Sequence, residues 1–139
     1  MPGNYTFTII KPCAVKSGLI GAILADVQNA GFQISALKFV KLNQAQAESF
    51  YAEHKGRPFF DPLVQFMISS PVVVAILKRE NAVEVYRKMI GTTDPTTAEE
   101  GTIRKKYAKN VRENAVHGSD CDESAAMEAN FFFSQCERF

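Results

Sequence analysis

Val72-Val73-Val74-Ala75-Ile76-Leu77 is an unbroken apolar run, introduced by Ser70-Pro71. Six consecutive apolar residues leave no face for water, which is the pattern of a strand buried on both sides at the centre of a sheet. Downstream, residues 80–90 read as a helix with Val83, Tyr86 and Ile90 inward, stopped by Gly91. Upstream, Tyr5-Thr6-Phe7-Thr8-Ile9-Ile10 alternates and is rich in β-formers, so it reads as a first strand. Lys11-Pro12 ends it, because proline cannot donate to a ladder.

Residues 16–30 have helical spacing, with Leu19, Ile20, Ile23, Leu24 and Val27 on one face and Gly31 placed to end the helix. Residues 32–42 read as a second strand, with Phe32, Ile34, Val40 and Leu42 on one alternation. Asn43 and Gln46 form a capping box for a helix through His54. A break at Gly56-Arg57-Pro58 leads through Phe59-Phe60-Asp61-Pro62 into a short helix bearing Leu63, Phe66 and Met67. Residues 111–116 read as the last strand, ending at His117. Two strand–helix–strand halves predict an α+β, ferredoxin-like sandwich in which helices cover a four-stranded antiparallel sheet. The 139 residues suit one domain, residues 1–139.

Sixteen basic residues against fifteen acidic leave a formal charge of +1. No global field then recruits nucleic acid or an anionic membrane, and any anion site must be local. Nucleic-acid binding is a side activity at best on this balance. The three cysteines, Cys13, Cys121 and Cys136, show no CxxC spacing, which argues against a zinc site or disulfide framework and for a reducing, cytoplasmic setting. Met1-Pro2-Gly3-Asn4 runs straight into the first strand without the charged and apolar regions of a signal peptide, and no apolar run approaches membrane-spanning length.

Several residues carry two open readings. Lys11 is a solvated strand-end lysine or a phosphate-binding cation at a sheet edge. Phe59 and Phe60 are core, or one ring faces a cleft as a stacking platform. The long aperiodic stretch at 92–101 is functional or disordered, and the basic helix start after Gly101 is a solvated turn or ground for a phosphate. In Asn114-Ala115-Val116-His117-Gly118-Ser119-Asp120-Cys121-Asp122-Glu123, a capping box from Asp120 to Glu123 starts a helix near Asp122 that carries Glu128. A carboxylate there folds back on His117, fixing one ring nitrogen and freeing the other; the alternative is a structural histidine.

The segment Asn114-Ala115-Val116-His117-Gly118-Ser119-Asp120 resembles the N-x-x-H-G-S-D active-site signature of nucleoside diphosphate kinases. Thr8-Ile9-Ile10-Lys11-Pro12, Arg57-Pro58-Phe59-Phe60 and Gly101-Thr102-Ile103-Arg104 add three more of that family's motifs in its order. The resemblance implies ping-pong transfer of a γ-phosphoryl group, mainly from ATP, through phospho-His117. Glu128 would hold the other ring nitrogen and Ser119 would support that carboxylate. Lys11 and Tyr51 would stabilise the transferring group, with Arg87, Thr93 and Arg104 on the remaining phosphates. Asn114 and Lys11 would meet the ribose, and Phe59 and Val111 would sandwich the base. The resemblance also implies Mg²⁺, with Asp120 as a water-mediated contact, and a homo-oligomer, hexamer or tetramer, built from dimers.

Cys13 and Cys121 stand where the family commonly has aspartate and serine, and both thiols are expected near the site with modest sensitivity to oxidation. The chain stops at Phe139, short of many eukaryotic members, which suggests a bacterial-type enzyme. Two other readings compete: a non-catalytic nucleotide-binding regulatory module, and a thiol enzyme using Cys121 with His117. The last Phe131-Phe132-Phe133 run is expected to pack partly against a neighbouring subunit.

Overall fold

The computed structural model describes residues 3–139; Met1 and Pro2, part of the N-terminal reading, lie outside the described residues. Its strands are β1 Tyr5–Ile10, β2 Gln33–Val40, β3 Val72–Lys78 and β4 Val116–Gly118. They form one sheet in the order β2-β3-β1-β4, each neighbouring pair antiparallel. The helices are α1 Pro12–Lys16, α2 Ile20–Asn29, α3 Gln44–Phe50, α4 Phe60–Met67, α5 Ala82–Ile90, α6 Ile103–Tyr107 and α7 Asp122–Phe132. This is the ferredoxin-like α+β arrangement expected from the strand–helix rhythm.

The apolar run of β3 is central, and it serves two cores. Val72, Val74 and Ile76 meet Ala47, Val64, Met67 and Ala129, from α3, α4 and α7. Val73, Ala75 and Leu77 meet Ala14, Ile23, Val27, Tyr86 and Ile103 on the other face. Burying each such aliphatic side chain contributes about 1.5–3 kcal/mol. No helix among the described residues is long and apolar enough to cross a membrane.

Four expectations need correction. The helix expected over 16–30 is two pieces, because Gly18 turns at φ +74 between α1 and α2. In β2 the register shifts between Ile34 and Ala36, so Phe32 and Ile34 face one core while Ala36, Val40 and Leu42 face the other. A bulge reverses the alternation on either side of it, which simple period-two counting misses. Helix α3 stops at Phe50, and Ala52–His54 is a separate 3-10 turn. The last strand is only Val116–Gly118. Asn110 Oδ1 accepts from the amides of Arg112 (3.0 Å) and Glu113 (2.8 Å), winding the preceding residues into a turn.

Candidate active site

β4 lies at the sheet edge, its His117 paired with Ile9 across the ladder. The imidazole Nε2 lies 2.9 Å from Glu128 Oε1, and Ser119 Oγ donates to the same oxygen at 2.6 Å. A carboxylate accepts, so the Nε2 proton points to Glu128 and the Nδ1 lone pair is left exposed to a partner. Ser119 is fully buried and donates its amide to Phe7 O at 3.2 Å, which seats the turn after β4 on β1. Phe7 and Phe50 flank the imidazole at centroid distances of 6.2 and 5.9 Å.

Glu128 reaches the histidine because α7 starts where it does. The capping box expected from Asp120 to Glu123 is not the one formed. Cys121 is the N-cap, and its Sγ accepts from the Ser124 amide at 3.4 Å. Asp120 falls one residue too early for that spacing and is exposed instead. The Ser124 hydroxyl, and secondarily the Cys121 thiol, hold its carboxyl below the usual carboxylate range.

On the other side of His117 the backbone is strained. Ala115 has φ +75, and the Val116 amide bonds to Asn114 O two residues back at 2.9 Å. This is a γ-turn in the left-handed region; such a conformation costs about 1–3 kcal/mol and persists only where its surroundings enforce it. Arg104 enforces it. Its guanidinium donates to Asn114 O (3.3 Å), Val116 O (2.8 Å) and Gly91 O (3.0 Å), so it spans the turn and ties it to the end of α5. The cation expected on phosphate is thus engaged with three carbonyls here.

Lys11 is buried, and its Nζ donates to Asn114 Oδ1 at 3.0 Å. Burial lowers its pKa to about 8, and the neighbouring Arg104 charge adds to the effect. Asn114 is buried too and donates to Val111 O at 3.0 Å. Tyr51 is buried with no partner for its hydroxyl, and desolvation, then the Glu128 charge, push its pKa up. An unpartnered buried hydroxyl beside the site is a donor waiting for an acceptor. Lys11, Asn114 and Arg104 therefore form one hydrogen-bonded set and His117, Ser119 and Glu128 a second, joined by Arg104 at Val116 O, with the unpartnered Tyr51 hydroxyl near Glu128.

The remaining expected residues are not drawn in. Phe59 is 45 % exposed, its ring meeting His54 at 5.2 Å, and Val111 is 53 % exposed. Thr93 is exposed on the loop after α5, and Arg87 is exposed near the end of that helix. Arg87 and Asp120 line a cleft of about 950 Å³ with Gly91, Thr92, Thr102 and Cys121, while His117 stands outside its lining. Cys13 is buried beside Lys11 and Cys121 is half-buried. Two residues near His117 were read in the sequence only as strand and helix-core positions: Thr8, whose hydroxyl donates to His117 O at 2.7 Å, and Tyr86, whose hydroxyl lies 2.7 Å from Thr8 Oγ1. β1 carries two buried threonines, Thr6 and Thr8, and nothing local in the sequence distinguishes the one that bonds His117.

A ferredoxin-like sheet that offers a tethered imidazole beside buried and half-buried cations is suited to an enzyme that moves anionic groups. The family model for nucleoside diphosphate kinase matches residues 4–138. The nucleoside diphosphate kinase of Psychromonas ingrahamii is 56 % identical, over 99 % of this chain and 95 % of that protein. That of Lawsonia intracellularis is 53 % identical, over 97 % of this chain and 98 % of its own length. Among solved structures, the nucleoside diphosphate kinase of Aquifex aeolicus superposes with a TM-score of 0.95 at 40 % identity, covering 98 % of this chain and 99 % of that one. The halophilic enzyme of Halobacterium salinarum, solved with CDP, gives 0.92 at 34 % identity, covering 99 % and 91 %. The chain belongs to the nucleoside diphosphate kinase family.

Proposed function

We propose that residues 1–139 act as one catalytic domain that moves the γ-phosphoryl group of a nucleoside triphosphate, mainly ATP, to a nucleoside diphosphate by way of phospho-His117. The observation that carries this reading is the Glu128–His117 contact at 2.9 Å, reinforced by Ser119, which directs the Nδ1 lone pair at a substrate. In the first half-reaction Nδ1 forms a bond to the γ-phosphorus as the bond to the β,γ-bridging oxygen breaks, and the diphosphate leaves. In the second, a new diphosphate oxygen takes the phosphoryl group and the Nδ1–P bond breaks. Little covalent chemistry falls to the protein, so positioning and charge neutralisation dominate.

Lys11 and Tyr51 donate to the transferring group, and Arg87, Thr93 and Arg104 take the remaining phosphates. Asn114 and Lys11 meet the ribose hydroxyls, and the base lies between Phe59 and Val111. A base held by stacking alone is read loosely, which suits a broad range of bases. Among the described residues no three His, Cys, Asp or Glu side chains are grouped to hold a metal ion. Asp120, exposed and with its carboxyl held below the usual carboxylate range, would hold Mg²⁺ brought in with the nucleotide, and the ion would supply charge neutralisation on the phosphates.

Large apolar side chains left exposed, among them Leu37, Phe39, Met127 and Phe131, support a homo-oligomer built from dimers. Three free cysteines suit the cytoplasm.

The test is to incubate the protein with γ-labelled ATP and Mg²⁺, then add unlabelled GDP, with His117→Ala alongside. Wild-type label that survives base, is lost in acid and passes to GDP establishes the route. Nucleotide binding without any acquired label leaves a regulatory nucleotide-binding module as the better reading.

A further inference from the structure

We infer that Thr8 and Tyr86 are positioning residues of the phosphoryl transfer, forming a buried hydroxyl relay that fixes the backbone of His117. The inference rests on the phosphohistidine reading above. Thr8 Oγ1 stands 2.7 Å from both His117 O and Tyr86 Oη. A carbonyl only accepts and the threonine hydroxyl has one proton, so Thr8 donates to His117 and Tyr86 must donate to Thr8. Neither Thr8, at 2 % exposure, nor Tyr86, at 0 %, meets water. Burial pushes the Tyr86 hydroxyl up to about 12, against smaller opposing effects of Thr8 and Arg104, so it stays a donor at every working pH.

β4 has only three residues and lies at the sheet edge, where a strand is held from one side. Glu128 fixes the imidazole at Nε2 and does not touch the main chain, which pairs with Ile9 on one side only. The relay adds a side-chain hydrogen bond to the His117 carbonyl, at the opposite end of the residue from Glu128. Tyr86 also packs directly on the next residue: a Cβ on Gly118 would meet Ile90 Cδ1 at 3.0 Å and Tyr86 Cδ2 at 3.1 Å.

The experiment measures single-turnover formation of labelled phosphohistidine at saturating γ-labelled ATP, and ADP affinity by calorimetry, for Thr8→Val, Thr8→Ser and Tyr86→Phe. Circular dichroism selects folded protein. We expect Thr8→Val to slow phosphorylation roughly tenfold and Tyr86→Phe a few-fold, since sub-ångström misplacement is costly at the reacting atom. Thr8→Ser, which keeps the hydroxyl, stays within about twofold of wild type, and all three bind ADP with wild-type affinity. Folded Thr8→Val and Tyr86→Phe that phosphorylate at the wild-type rate overturn the relay alone. So does a loss of ADP affinity in step with the rate, which marks a general structural effect. If Thr8→Val fails to fold, Tyr86→Phe decides. Wild type that binds ADP but never takes label overturns the phosphohistidine reading and the relay with it.

Discussion

Glu128 and Phe59 belong to one proposed site, yet the chain prepares their surroundings in opposite ways. Around Glu128 the polar groups are tied together apart from the Tyr51 hydroxyl: His117 and Ser119 share its oxygen, and Arg104 grips the strained turn that precedes the histidine. Around Phe59 the ring is 45 % exposed, and Val111 is more exposed still. The first region must hold reacting atoms to fractions of an ångström before substrate arrives, so its ordering is achieved on folding. The second only has to cover a base, and a flat π face does that without prior organisation. Damage at Glu128 is therefore expected in kcat, and damage at Phe59 in KM.

The largest effect that could break this contrast is Glu128→Gln. The amide keeps the size of the carboxylate but loses its charge and can no longer be relied on to select one imidazole tautomer. Phosphorylation of His117 should slow by about a hundredfold or more, with nucleotide affinity unchanged. A rise in KM at constant kcat, in steady-state assays with ATP and GDP, would erase the distinction between the two regions.

Lys11 gives a pH signature of the organised region. Its pKa is lowered to about 8, so its charge is lost as pH rises through that value. The kcat/KM profile, which reports the free enzyme, should fall above about pH 8. Bound phosphate favours the ammonium, so the fall in kcat should lie at higher pH. The stability contribution has the opposite sign. Below the folded value both states are protonated and the buried charge is unfavourable. Between about 8 and the ordinary 10.5 the unfolded chain binds the extra proton, so this group's contribution to stability rises with pH. Denaturant melts of wild type and Lys11→Met from pH 8 to 10 check the sign, since the variant should lack the rise.

Phe59→Ala probes the open region. Losing one stacking ring costs roughly 1–3 kcal/mol of base binding, which is a KM raised about five- to 150-fold at similar kcat. The same change should weaken purine and pyrimidine nucleotides alike, as competition assays with GDP and CDP would show.

What could be read in the chain divides along the same line. The Asn43–Gln46 box forms as expected, with both reciprocal bonds, because its partners lie three residues apart. Thr102 caps α6 for the same local reason. The β2 bulge is set by pairing with β3, and Thr8 meets Tyr86 across 78 residues, so neither has a local signature. Ala115 is the sharpest case. Nothing about alanine announces φ +75; the conformation is imposed by Arg104 and by the seating of β4 on β1. The residues of the proposed site were named through the family resemblance, whereas the contacts that hold them are long-range and were not foreseen.

The smallest effect concerns the seat of Glu128 itself. α7 is capped by a thiol, and sulfur is a weak acceptor at the 3.4 Å observed to the Ser124 amide. A serine hydroxyl is the stronger N-cap, so Cys121→Ser should raise the unfolding free energy by a few tenths to about 1 kcal/mol, seen as a higher melting midpoint. If the organised region is already fully ordered, phosphorylation of His117 should stay at the wild-type rate. A faster rate would mean instead that fraying at the start of α7 displaces Glu128 for part of the time, and that this half of the site is less settled than its hydrogen bonds suggest.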